Sequence, residues 1–531
     1  MTGPRQYLAA LSALAVMAAA PAALAQKSGG ILKVYHRDSP PSMSIHEEAT
    51  NSTVQPIMSV MNNLVLFDQS EPINRLDTIR PDLAKSWSWN EDGTKLTFEL
   101  REGVKWHDGK PFTAADVKCT WDLLQEKGEA RLRKNPRKGW YHNLEGVTVD
   151  GDYRATFNLR RPQPSFLGLL ASGYSPVYAC HVTPAEMRTH PIGTGPFKFV
   201  EFRQNEHIKT TRNPDYWEEG KPYLDGIEYT IIRNRSTRVL AFIAGEFDMT
   251  LYGDITIPIL RDVRSQAPHA VCQLHPTNVS RNLIVNRERP PFDDARIRRA
   301  MMLALDRQAF VDILSEGNDD IGGAMLPPPE GVWGMPKEML EQVVGYGPDI
   351  EANRTEARKL MEEAGYGPNK RLPVKVSTRN IEIYRDPAVI LIDQLKDIYI
   401  DGELEIVETS LWHAKVARKD YSVGMNLTGI GVDDPDVTFY ENFACDSERN
   451  YTQYCNPELE KKFDEQSAEH DIEKRKKLVW EIDRQLQEDG ARPMMFHARS
   501  ATCAQPHVRD MVAGANSAYN SFRYEHVWLD K

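Results

Sequence analysis

Apolar residues alternate along Ile31-Leu32-Lys33-Val34-Tyr35 and again from Leu96 to Leu100, a period of two that predicts strands. Further strands are expected at Phe197–Phe202 and Gly226–Ile232. Val147 to Phe157 reads as strand, tight turn and strand around Asp150-Gly151-Asp152. Helical spacing takes over elsewhere. Ile57, Val60, Met61 and Leu64 predict a helix over Val54–Leu66. Thr113 with Asp116 three residues on predicts a capped helix start. Arg235–Ala244 ends at Gly245, and Arg354–Ala364 is stopped by Gly365. Asp293–Leu305 places Ile297, Ala300, Met301 and Ala304 on one face. Pro387–Tyr399 and Pro457–Gln487 complete the set, the second in at least two pieces. Residues 64–180 thus read as a small α+β unit. In the second half strands alternate with helices, which predicts α/β structure on a largely parallel sheet.

The amino terminus is patterned differently. Arg5 is the only charge before Lys27, and Tyr7 to Ala20 is an unbroken apolar and small-residue run, followed by Pro21 and Ala23-Leu24-Ala25. That is the pattern of a secretory signal peptide at 1–25. The run falls short of the roughly 20 residues a membrane-spanning helix needs. An exported chain meets an oxidising compartment, where cysteine pairs become bridges. The length of 531 residues suggests two to four lobes. A net charge of −11 argues against a nucleic-acid binder.

Several segments together resemble the extracellular solute-binding proteins of family 5, the dipeptide-, oligopeptide- and nickel-binding components of ABC importers. They are Leu83 to Trp89, Leu100 to Phe112 with Ala115-Asp116-Val117, Gly193 to Phe197, Asn213 to Trp217, and Pro291 to Ala300 with Ala304 to Arg307. The resemblance implies a two-lobed α/β periplasmic-binding fold (type II, cluster C) with an inserted α+β domain. Lobe one would comprise 26–62, 190–285 and 496–531, the insert 63–189, and lobe two 286–495. It implies a solute captured between lobes that close by a hinge.

The resemblance also implies site residues. Trp412 would form an apolar wall carrying one N–H donor, with burial in the core as its alternative. Arg379 or Arg385, beside Tyr384, would fork a ligand carboxylate; the alternative for Arg385 is a pair with Asp386 or Glu382. Thr428, Gly429, Ile430, Gly431 and Asp433 form the loop before Asp434-Pro435-Asp436. The family's ammonium-holding acid falls there on Gly431, or on Ile430, so a dipeptide-type clamp is not expected. Asn51, Asn278 and Arg281 would face the cleft. His107 and the Gly193 to Phe197 turn read as scaffold, and no cofactor or metal is expected, because the histidines are scattered.

The expected function is a periplasmic receptor, monomeric and not membrane-spanning. It would deliver a small peptide or amino-acid-derived solute, including opine-like compounds, to an inner-membrane permease, without nucleic-acid partners. The alternatives are an exported hydrolase, for which no nucleophile–base signature appears, and a ligand sensor. On the implied domain map the six cysteines pair within domains, as Cys119–Cys180, Cys272–Cys503 and Cys445–Cys455.

Overall fold

The structure is a computed structural model that describes residues 26–429 and 431–531. The expected signal peptide at 1–25, and Ile430, lie outside the described residues. Three sheets of four or more strands organise the chain. The first has the order Ile31–His36, Gly226–Ile231, His207–Arg212, Phe197–Arg203, with the first pair parallel. The second, antiparallel throughout, runs Ala84–Trp89, Lys95–Leu100, Arg154–Leu159, Leu144–Val149. The helix Ala114–Leu124 covers it, started by the Thr113–Asp116 capping box and seating Trp121 edge-on against Phe157.

The third sheet has five strands, in the order Ile400–Val407, Leu372–Arg379, Val423–Gly429, Val271–Val285, Met494–Ala504. It is mixed, not largely parallel as the alternation of strands and helices predicts. Leu372–Arg379 is parallel to both its neighbours, whereas Val271–Val285 is antiparallel to both of its own. The reason is topological: these last two strands are not products of a strand–helix–strand crossover but long strands passing between lobes. Val271–Pro276 lies opposite Arg499–Ala504, the register shifts between Pro276 and Ser280, and the rest of the strand joins Val423–Gly429. Asn278, in the left-handed region with φ 48°, sits at the shift. Ala504 connects through Met249 to Val34, so the first sheet is joined to the third by the same pair of strands.

Local boundaries moved where packing overrode pattern. The helix expected over Val54–Leu66 is a short helix Asn51–Ile57 with Pro56 inside, a 3₁₀ turn Met58–Val60, then a strand Val65–Phe67. All of this segment from Ser52 to Phe67 is buried, so apolar spacing carries no information about which face is inside. The helix expected from Pro387 begins at Glu382. Asp294, Asp349 and Asn456 cap the helices that follow them.

The cysteines join as Cys119–Cys180, Cys272–Cys503 and Cys445–Cys455, with no free cysteine among the described residues. Gly193 and Gly195 pack on the backbone of Val60; a β-carbon at Gly193 would lie 1.8 Å from the Val60 carbonyl oxygen. His107 is held in the same corner, accepting from Gly193 N–H at Nδ1 (3.3 Å) and bonded to Gly195 O at Nε2 (3.0 Å); burial pushes its pKa down to about 4. The close approach predicts that Gly193→Ala loses several kcal/mol of stability, on the order of the worst overpacked cores. A thermal midpoint within a degree of the parent chain would contradict it.

Candidate functional site

Strands Ile31–His36 and Leu372–Arg379 each end beside a parallel neighbour, and their carboxyl ends meet. That is where open α/β sheets present ligand-binding groups. Asp38, just past the first strand, pairs with Arg379, the last residue of the other, across a sequence separation of 341. Thr409 Oγ1 donates to Asp38 Oδ2 (2.6 Å) and Ser52 Oγ to Oδ1 (2.7 Å), while Arg379 also donates to Thr409 (2.9 Å) and Ser52 (2.9 Å). Burial raises the Asp38 carboxyl, but Arg379, then His36 and Arg37, override it and hold it well below the usual range. Further ionic contacts line the seam. Arg238 forks Asp254 at 2.7 Å and reaches Glu382 at 3.4 Å, Arg235 reaches Asp386 (3.5 Å), and Arg233 reaches Glu408 (3.0 Å). The two halves are therefore closed on one another.

Between them lies a cavity of about 50 Å³. It continues into a hollow of about 260 Å³ that shares Thr256, Arg281, Ile383 and Arg499 with it. Its wall includes Asn51, Arg281, Arg379 and Tyr384, four of the positions expected from the sequence. The sequence reading missed Arg37, His413, Arg499 and Tyr519, which also line it. Arg37 follows the first strand directly, a placement that a search of strand carboxyl ends would have caught. Tyr519 lies in the last turns of the chain, and nothing local marks it.

Other expected site residues are placed elsewhere. Trp412 is fully buried against Ile284, Val416, Tyr421 and Tyr451, with its indole N–H given to Asn426 Oδ1 (3.3 Å), so it is core and not cleft wall. Arg385 lies outside the cavity, 3.7 Å from Glu382 on its own helix. Thr428 is taken up inside the lobe, its hydroxyl accepting from Arg492 (3.0 Å) and Asn282 (3.1 Å). Gly429 and Gly431 do not line the cavity: a β-carbon on Gly429 would meet the Tyr519 ring at 1.9 Å, and one on Gly431 would meet Asn520 at 2.8 Å. Asp433 turns away, accepting from Val332 N–H (2.8 Å), and burial pushes its pKa up to about 7. Asn278 is buried at the register shift, off the cavity wall, and its amide makes no hydrogen bond. The acidic-proline turn itself is scaffold. Asp434 forks Arg475 (2.8 and 2.9 Å), while Asp436 accepts from Gln163 and Ser165 of the strand-and-helix unit beside it.

Among the described residues the smaller cavity is lined by no Asp or Glu and by one histidine, His413, with both ring nitrogens unpartnered, while Asp319 and Asp386 line the adjoining hollow. Burial holds that imidazole far below its usual pKa, hence neutral. No nucleophile–base–acid chain of the kind acyl transfer needs is formed there. No cluster of metal-ligating side chains and no helix long and apolar enough to cross a membrane occurs among the described residues.

Residues 78–450 match the family described as bacterial extracellular solute-binding proteins, family 5 Middle. The chain belongs to this family. Among curated relatives, it is 26% identical over 507 residues to a probable di/tripeptide-binding protein 5 of Pseudomonas aeruginosa, covering 88% of this chain and 90% of that one. Among solved structures, Haemophilus influenzae OppA in complex with a peptide superposes with a TM-score of 0.84 at 22% identity, covering 95% and 99% of the two chains. AgaA of A. tumefaciens R10, in complex with agropinic acid, gives 0.79 at 20% identity, covering 94% and 99%. The two-lobed family 5 architecture is thus the fold of this solute-binding protein. His107, the Gly193 turn and the acidic-proline turn are its joints and not its chemistry.

Proposed function

We propose that the protein is the exported, periplasmic receptor of an ABC importer, acting as a monomer that captures a small organic solute between its lobes and presents the closed form to an inner-membrane permease. The division proposed is 26–62, 190–285 and 496–531 for lobe one, 63–189 for the insert and 286–495 for lobe two. The observation that carries the reading is the closed seam. Ionic contacts from Arg379, Arg238 and Arg235, the first of them fully buried, surround a cavity whose wall is drawn from both sides. A closure of this kind gives affinity by desolvating polar groups around a ligand. The family fold accommodates a peptide in one structural neighbour and agropinic acid in another. Peptide or amino-acid-derived solutes are therefore the class supported.

The test is native mass spectrometry of the protein purified from its own cells. The expected result is one non-covalent small molecule per chain, released on denaturation. A chain that carries no ligand, and whose thermal midpoint answers to no peptide or amino-acid derivative, would end the reading.

A further inference from the structure

Among the described residues the wall of the smaller cavity carries four arginines, Arg37, Arg281, Arg379 and Arg499, and no carboxylate, while Asp319 and Asp386 line the hollow it continues into. Two of them are neutralised by the protein. Arg379 has Asp38, and Arg499 has Asp320 (2.9 Å) and Glu330 (2.9 Å). The other two make no ion pair within 4.0 Å among the described residues, although Arg37 lies in the longer-range fields of Asp38 and Asp254. Arg37 is 5% exposed, donates to Asn51 Oδ1 (3.0 Å), and leaves its Nε without an acceptor. Arg281 is 9% exposed, makes one hydrogen bond, to Val279 O (3.1 Å), and feels Asp319 only from beyond ion-pair distance. Burial lowers the pKa of both guanidiniums, Arg281 to about 10, and Arg37 adds to the lowering at Arg281, so the two charges lie within each other's field.

Buried arginines elsewhere in the chain show the contrast. Arg307 donates to Met494 O (2.8 Å) and Gly345 O (2.6 Å), and Arg492 donates to Thr428, Asn442 and Arg449 O, so packing gives each of them acceptors. Arg307 Nη2 and Arg492 Nε are also unpaired, but neither arginine lines the cavity; Arg37 and Arg281 differ in facing it together. A buried charge without a partner is costly. A guanidinium aimed into a cavity is the natural fork for a carboxylate or phosphate. The acids of this region, Asp319 and Asp386, stand in the adjoining hollow and not on the wall where Arg37 and Arg281 meet.

We propose that the ligand is a compact dianion, one acid group held by Arg37 and the other by Arg281. This rests on the receptor function proposed above and names its substrate class.

The experiment is thermal shift and calorimetry on the mature protein with glutarate, N-acetylglutamate and N-acetyl-glutamyl-glutamate. The comparison compounds are glutaramide, Ala-Ala and Lys-Ala. The dianions are expected to raise the midpoint by several degrees and the comparison compounds to leave it unmoved. Arg37→Gln and Arg281→Gln are each expected to weaken dianion binding by 100-fold or more. The midpoint of unliganded Arg281→Gln should stay level or rise, because it removes a buried charge that has no ion pair within 4.0 Å. A residue with only a structural role would lower it. The proposal is overturned by a larger response to Ala-Ala or Lys-Ala, by variants that keep the dianion response, or by an unliganded Arg281→Gln variant that melts several degrees lower. If no compound in the panel shifts the midpoint, the molecule carried from the native cells decides. Two acid groups on that molecule uphold the proposal. A neutral or cationic molecule overturns it while leaving the receptor function standing, and no molecule at all overturns both.

Discussion

Arg379→Ala is expected to weaken solute binding by two to three orders of magnitude while leaving the lobes individually folded. The substitution leaves Asp38 buried in the closed seam with the hydroxyls of Ser52 and Thr409 and the weaker fields of His36 and Arg37. Breaking a buried pair by removing one partner costs about 3–5 kcal/mol, and each 1.4 kcal/mol is about a factor of ten in affinity. The cost falls on the closed form, because opening the lobes returns Asp38 to water. Calorimetry measures the affinity, and small-angle scattering measures how much of the chain stays open at saturating ligand. The companion Asp38→Leu with Arg379→Met separates two roles. If Arg379 is a latch, the apolar pair recovers most of the affinity, since buried ion pairs are often replaceable by well-packed apolar residues. If Arg379 instead holds a ligand carboxylate, as the family resemblance implies, the double variant stays as weak as the single one.

The second large effect is expected at the bridges. In the chain-entropy account a cross-link stabilises more the longer the loop it closes. The separations are 231 residues for Cys272–Cys503, 61 for Cys119–Cys180 and 10 for Cys445–Cys455. Removing each pair as Ser–Ser is expected to cost about 5, 4 and 3 kcal/mol respectively. Chemical denaturation of the three double variants tests the order. A Cys445→Ser/Cys455→Ser variant less stable than the Cys272→Ser/Cys503→Ser variant would reverse it. The first pair has a further consequence. Cys272 and Cys503 are direct partners in the ladder of the two crossing strands, so their loss is also expected to raise amide exchange at Val271 to His275.

What the sequence made legible was mostly local. Thr113 with Asp116, and Gly245 after Arg235–Ile243, are capping and stop signals whose physics acts within one turn, and each stands where it was expected. The family motifs led to the fold because they are joints: Gly193 is required by the Val60 backbone, and the Asp434-Pro435-Asp436 turn by Arg475 and Gln163. The site was only half legible. Arg281, Arg379, Tyr384 and Asn51 reach the cavity, but which arginine is free depends on partners far away in the chain. Nothing near Arg379 reveals that Asp38, 341 residues earlier, has claimed it. Trp412 shows the same limit from the apolar side. A large flat side chain on a short helix can face a cleft or a core, and Ile284 and Tyr451, both distant in sequence, decide for the core.

The register shift between Pro276 and Ser280 bears on how the protein works as a machine. On one side of it the two crossing strands are stapled by Cys272–Cys503; on the other they are woven into a five-stranded sheet. With both ends held in this way, an opening motion would concentrate its bending in the few residues between, much as a leaf spring clamped at both ends flexes at its thinned waist. Such a pivot allows one opening coordinate and suppresses twisting. The permease would then be offered two well-defined shapes, open and shut, and not a continuum. Discrimination between loaded and unloaded receptor would rest on that mechanical simplicity as much as on any residue that touches the solute.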